Sequence, residues 1–224
     1  YRQYVQSDKI SWTVIASPSE AWAEKVFPNL PKEKQVDALW DAIFKATRSD
    51  LDNPVEAWTK HNDTLHEKVH YLNAKKYAKL HYTAPGTDLT IELPKGHLWC
   101  GAGSVNEKGE EFMANMPTEE VFTVPHKDGV NGYVSSTKPL SYGGNIIDNF
   151  KITFENGRIT KIEAEQGEEV LKNLVATDEG SHRLGEVALV PHDSPISNSG
   201  LLFYNTLFDE NASNHLAIGS AYAF

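Results

Sequence analysis

Two sets of side chains in this sequence have the types and spacing to do chemistry. The compact one is His66-Glu67-Lys68-Val69-His70, an H-E-x-x-H string that places two imidazoles one helical turn apart to share a zinc ion, with a carboxylate beside them to activate water. The looser one is Glu120 in Thr118-Glu119-Glu120-Val121, Glu186 in Leu184-Gly185-Glu186-Val187, and Glu210 with His215 in Glu210-Asn211-Ala212-Ser213-Asn214-His215. Three carboxylates and an imidazole brought together could hold one or two divalent ions such as zinc, cobalt or manganese. Spacing alone establishes neither site.

Position argues against the compact motif. Asn53-Pro54 supplies an N-cap followed by proline at the first helical position, and predicts a helix to about Ala78 with Val55, Trp58, Leu65, Val69 and Leu72 as its apolar face. At about 100° per residue, His66 falls about 80° and His70 about 120° from the centre of that face, on its flank or solvent side. Lys68 would also set a cation beside the metal. A solvated helix flank is the simpler reading. His61, His81 and His126 lack a partner at ligand spacing and read as structural or exposed. Two prolines make His192-Asp193 a rigid loop, and no Gly-x-Ser-x-Gly elbow supports a serine hydrolase. Gly101-Ala102-Gly103-Ser104 lacks the lysine of a phosphate loop and reads as a turn.

The elements that must position these groups follow from hydrophobic period. Ile10 to Ala16 is apolar and β-branched and runs into Ser17-Pro18-Ser19, which predicts a strand and then a helix. Pro31 to Arg48 places Val36, Leu39, Trp40, Ile43 and Phe44 on one helical stripe. From Lys79 the period changes. Leu80–Thr83 and Asp88–Leu93 read as strands around Pro85-Gly86, and Pro94-Lys95-Gly96 marks a soft domain boundary. Glu119–Val124 and Tyr133–Leu140 follow as strands. Phe150–Glu155 and Arg158–Glu163 flank Asn156-Gly157, which predicts a type I′ hairpin. Glu168–Leu174 reads as a short helix, and Gly200–Phe208 as a helix or a buried strand.

Composition narrows the function classes. A chain of 224 residues, 40% hydrophobic and 23% charged, excludes intrinsic disorder and a coiled coil. Lys plus Arg less Asp plus Glu is 21 − 31 = −10, which argues against non-specific binding to nucleic acid or an anionic membrane. No window approaches the ~20 apolar residues of a spanning helix, and the first residues begin no apolar leader, so a cytoplasmic chain is expected. The single cysteine, Cys100, leaves any metal site to His, Asp and Glu.

Several longer strings carry a resemblance. Thr87-Asp88-Leu89-Thr90, Asn115-Met116-Pro117-Thr118-Glu119-Glu120-Val121-Phe122-Thr123, Gly180-Ser181-His182-Arg183-Leu184-Gly185-Glu186, and Glu210 to Ala217 followed by Gly219-Ser220-Ala221-Tyr222 resemble the thermophilic-type M29 metalloaminopeptidase family, in order, from about Ser11 onward. The resemblance implies a mixed α/β fold: the end of an N-terminal α/β domain (1–95), then most of a β-rich catalytic metal-binding domain (96–224). It implies two divalent ions, zinc before cobalt or manganese, a peptide substrate with a free N-terminus, and a homodimer. Carried over residue by residue, the family's glutamate ligands fall on Glu120, Glu186 and Glu210, its histidine ligand on His215 and its active-site tyrosine on Tyr222. In such a centre paired ions lower the pKa of a shared water and polarise the scissile carbonyl, while a hydroxyl such as that of Tyr222 could donate to the developing oxyanion.

The family pattern continues with a His-x-Asp pair that this sequence does not reach, and the chain opens on Tyr1. A fragment with weak metal binding and little peptidase activity is therefore expected. Glu119 is a candidate general base, but on a regular strand it would face away from Glu120, and it reads as a surface residue. Two rivals stand: a zincin built on His66, Glu67 and His70, and a non-catalytic scaffold or dimerisation module.

Overall fold

The computed structural model describes residues 4, 5 and 7–221. In chain order its elements are α1 (Glu20–Val26), α2 (Lys32–Ala46), α3 (Pro54–Lys75), β1 (Lys79–Ala84), β2 (Thr87–Glu92), β3 (Cys100–Gly101), β4 (Ser104–Val105), β5 (Glu111–Phe112), β6 (Val121–Thr123), β7 (Val130–Ser135), β8 (Leu140–Tyr142), β9 (Asn145–Glu155), β10 (Arg158–Gln166), α4 (Glu168–Val175), β11 (Leu184–Leu189), α5 (Pro195–Ser199), α6 (Thr206–Asp209) and β12 (His215–Ile218). The class is mixed α/β, as expected. The described residues form two units: those of 4–69, 101–121 and 189–214 make the first, and those of 70–100, 122–188 and 215–221 the second.

The first unit is mainly helical. Ser19 caps α1 by accepting the Trp22 amide at 3.2 Å. Leu39, Ile43 and Ala46 of α2 bury one stripe against Ala23, Ile196, Phe203, Phe208 and Ala212. The Phe203 and Phe208 rings stack with centroids 4.6 Å apart. Two expectations fail here. Ile10–Ala16 forms no strand: Val14 makes a single isolated bridge to Asn115, and Ile15 is 67% exposed. β-branched composition needs a ladder and a buried face to become a strand, and this segment has neither. Gly200–Phe208 is helical only from Thr206, where α6 begins, and Gly200–Asn205 is neither helix nor strand. Its amides at Phe203 and Asn205 donate to the Asp209 carboxylate at 2.7 and 2.9 Å, and Tyr204 takes a left-handed φ of 55°, so the loop satisfies its backbone through a side chain before α6 begins.

The second unit is sheet-rich. β1, β2, β7, β9 and β10 form an antiparallel ladder in that order, with β8 paired to β9. The expected hairpin is present and longer than its sequence signal, with Asn156 and Gly157 at φ 50° and 78°. Leu171 and Val175 bury the inner face of α4, which packs on β9 and β10. The single strand expected over Tyr133–Leu140 is divided between β7 and β8. A separate four-stranded sheet runs β12-β11-β6-β3.

Candidate metal centre

β11 and β12 position the first two donors. They pair antiparallel, Glu186 opposite Ala217 and Ala188 opposite His215, with a register shift between Leu184 and Glu186. Glu186 and His215 are thus diagonal neighbours on one face, close enough for long side chains to meet. Gly185 makes the bulge feasible, because a Cβ there would strike the carbonyls of Gly219 and Ser220. Arg183 anchors the entry to β11, donating to the Lys127 carbonyl at 2.8 Å and the Asp128 carboxylate at 2.9 Å. The outcome is His215 Nε2 standing 3.6 Å from Glu186 Oε1, with both side chains mostly buried. That separation is too long for a hydrogen bond. It is close to the ~3.4 Å between two donors on one tetrahedral ion with bonds of 2.0–2.1 Å.

Glu120 directly precedes β6 and is buried. Its neighbour Glu119 is 1% exposed, which corrects the expected surface placement. The alternation rule does not apply, because the strand starts at Val121 and both glutamates lie ahead of it. Arg48 neutralises Glu119 through a two-pronged ion pair, Nη1 to Oε1 at 2.6 Å and Nη2 to Oε2 at 2.9 Å. The Glu119 amide donates to Asn211 Oδ1 at 2.7 Å. His61 Nε2 lies 2.7 Å from the Thr118 carbonyl, so that nitrogen carries the proton and donates. Burial pushes the His61 pKa below its ordinary value of 6.5, against the opposing pull of the Glu119 carboxylate and the Thr118 carbonyl. His61 is therefore an interior residue with a specific partner, a role its spacing did not signal.

Among the described residues, Glu186 and His215, both of the second unit, are the carboxylate and imidazole brought close enough to share an ion, while Glu120 belongs to the first unit. Glu210 is half-buried in a 3-10 turn, Glu210–Ala212, and does not belong to that group. Tyr222 lies outside the described residues. Neither His66 nor His70 joins the group either. Glu67, Lys68 and His70 are exposed, and His66 lines a cavity of about 450 Å³ with Trp58, Asn62 and Phe112. Asp193 accepts from Asn198 at 2.8 Å and Ser194 caps α5, so the His192-Asp193-Ser194 stretch is a helix entry. Gly103 donates its amide to Asn62 Oδ1 at 2.7 Å, consistent with a turn.

A family model described as "Thermophilic metalloprotease (M29)" matches residues 1–224. The chain belongs to this family. Among M29 relatives, it is 71% identical to Aminopeptidase AmpS of Bacillus subtilis (strain 168) over 224 residues, all of this chain and 55% of the relative. It is 50% identical to Aminopeptidase T of Thermus thermophilus over 212 residues, 95% of this chain and 52% of the relative. The structure of wild-type AmpT from Thermus thermophilus superposes with a TM-score of 0.89 at 50% identity, covering 94% of this chain and 51% of that one. The chain spans about half the length of the curated relatives it matches. Membership of the M29 family implies divalent metal ions, and the donor types fit: carboxylate oxygens and an imidazole nitrogen are ordinary zinc, cobalt and manganese ligands. No helix among the described residues is long and apolar enough to cross a membrane.

Proposed function

We propose that this chain carries most of the metal-binding half of an aminopeptidase that removes N-terminal residues from peptides. Glu120, Glu186, Glu210 and His215 hold two divalent cations, with zinc preferred over cobalt or manganese, and Tyr222 supplies a hydroxyl to the reacting carbonyl. The observation that carries this reading is the approach of His215 Nε2 to Glu186 Oε1 at 3.6 Å, in a chain of the M29 family. The curated relatives bear the name aminopeptidase. The division into residues 1–95 and a catalytic domain from 96 belongs to the same reading, as do a homodimer and a cytoplasmic setting without nucleic-acid or membrane partners.

Bound cations would supply Lewis acidity and a nucleophilic water at neutral pH. The protein groups do the rest. Carboxylates at 120, 186 and 210 offset the cationic charge and give the pocket the sign that attracts a substrate's α-ammonium group. Burial of Glu120, and the largely buried Glu186–His215 pair, keep competing water away and strengthen each electrostatic contact. The Tyr222 hydroxyl would donate to the carbonyl oxygen as negative charge develops there.

The test is release of p-nitroaniline from an amino-acid p-nitroanilide by the full natural chain, after chelation and then addition of zinc or cobalt. Activity should return with the ion, and Glu186→Gln or His215→Ala should lower it by more than about 100-fold. Undiminished turnover in both variants refutes the assignment. The 224-residue chain assayed beside it should show little activity.

A further inference from the structure

The peptide unit just ahead of Glu120 is held at both of its polar edges. Its carbonyl, that of Thr118, accepts from His61 on α3. Its amide, that of Glu119, donates to Asn211, whose own side-chain amide donates to the Leu207 carbonyl of α6 at 3.0 Å. The Glu119 side chain is clamped by Arg48, the residue next but one after α2. Arg48 is itself fixed: its backbone sits in the left-handed region at φ 57°, and its guanidinium lies 5.9 Å from the Trp58 ring. The Trp58 indole donates to the Thr47 carbonyl. Behind the segment, Gly101 permits close backbone approach, since a Cβ there would stand 2.7 Å from the Glu120 carbonyl.

Buried polar groups require partners, and such a complete set exceeds what closing a loop needs. Its members come from the segment just after α2, from α3 and from the turn at 210–212, and all converge on residues 118–119. Asn211 has a second consequence, because it directly follows Glu210 in the chain. One side chain therefore ties the segment bearing Glu120 to the segment bearing Glu210.

We infer that Arg48, His61 and Asn211, acting through Thr118 and Glu119, are positioning residues that aim the Glu120 and Glu210 segments for cation binding before any ion arrives. This inference rests on the metal-centre reading above. A carboxylate whose backbone is fixed in advance loses little conformational freedom on binding, and groups that orient ligands in this way typically change metal affinity by 10- to 100-fold when removed.

The experiment titrates Co²⁺ alone into the chelator-treated full natural chain, reading affinity by calorimetry and ligand geometry by visible absorption. Asn211→Leu and His61→Phe should bind Co²⁺ about 10- to 100-fold more weakly, with an altered absorption band. His61→Gln keeps a donor near the Thr118 carbonyl and should restore most of the affinity and the parent spectrum. Ile43→Val, a loss of packing in the same unit, should lower the melting temperature and leave Co²⁺ binding intact. Parent-like affinity and spectrum in Asn211→Leu and His61→Phe, alongside abolished binding in Glu186→Gln, would overturn the positioning role while sparing the metal centre. Full Co²⁺ binding in Glu186→Gln would overturn the metal centre itself, and this inference with it.

Discussion

Replacing Arg48 with methionine would strand a carboxylate inside the first unit. The Glu119 side chain is 2% exposed and Arg48 keeps 16%, so the acid has no route to water while the guanidinium has a partial one. Two unit charges about 4 Å apart attract by about 4 kcal/mol at an effective dielectric of 20. Breaking a buried pair from one side costs about 3–5 kcal/mol, and the partial exposure of Arg48 favours the lower part of that range. For a chain of this length, about 3–4 kcal/mol corresponds to a fall in melting temperature of about 6–16 °C. Glu119→Leu should cost less, since the arginine left behind can turn toward solvent. Arg48→Met with Glu119→Leu should recover to within about 1–2 kcal/mol of the parent, because an apolar pair removes the stranded charge. Thermal and urea unfolding of the four proteins, without added metal, measure all of this. A loss below about 1 kcal/mol in Arg48→Met, or additive single and double variants, would refute the buried-pair argument.

Other outcomes follow from the same geometry. His61 has a folded pKa below its ordinary 6.5, so its contribution to stability is complete above that value and is lost as pH falls through the folded pKa; melting temperature against pH should show this decline in the parent and a flatter profile in His61→Gln. Gly157→Ala should destabilise by about 3 kcal/mol or more, because φ is 78° and the new Cβ would collide with the Lys127 carbonyl, whereas Gly143→Ala, strained by its φ of 56° but with open space around it, should cost only about 1–2 kcal/mol in the same urea titration. His66→Ala with His70→Ala should leave Co²⁺ affinity unchanged, and loss of binding in that pair would revive the H-E-x-x-H reading. The Cys100 thiol, its pKa pushed up by burial, should react with a disulfide reagent at pH 8 more slowly than after unfolding in urea.

What could be read from sequence depended on whether the determining interaction was local. Asn156-Gly157 writes its own turn, and the strands beside it need only each other, so that hairpin was legible. α2 was legible because a helix buries a stripe at its own period, and Leu39 and Ile43 do so. Phe44, assigned to that same stripe, is 41% exposed, since periodicity locates a face and tertiary packing sets its width. β12 carried no local signal. Its four residues become a strand by pairing with β11, a segment distant in the chain, and Gly185 permits the bulge between them. The diagonal meeting of Glu186 and His215 was therefore outside the reach of spacing, and only the longer strings shared with a family pointed to it.

Glu119 and Glu120 show the limit most sharply, because two identical neighbours meet different fates. Treating them as strand residues sends one inward and one to solvent, yet both are buried, 1% and 9% exposed. What separates them is the partner. Arg48 arrives from the end of α2 with a two-pronged ion pair, and takes the charge of Glu119 out of play. An ion-paired Glu119 adds little net charge beside Glu120, so the two carboxylates are not equivalent toward a cation. The arrangement also makes the pair non-interchangeable: moving the acid from 120 to 119 would place it where an arginine already satisfies it. A variant with Glu120→Gln should consequently lose cation affinity even though a glutamate remains one residue away. Glu119→Gln should retain the charge at 120 and lose affinity only as far as the backbone ahead of it loosens. Equal losses in the two variants, measured by Co²⁺ titration, would mean that the adjacent carboxylates act as one pool of charge and that the division of labour argued from Arg48 does not exist.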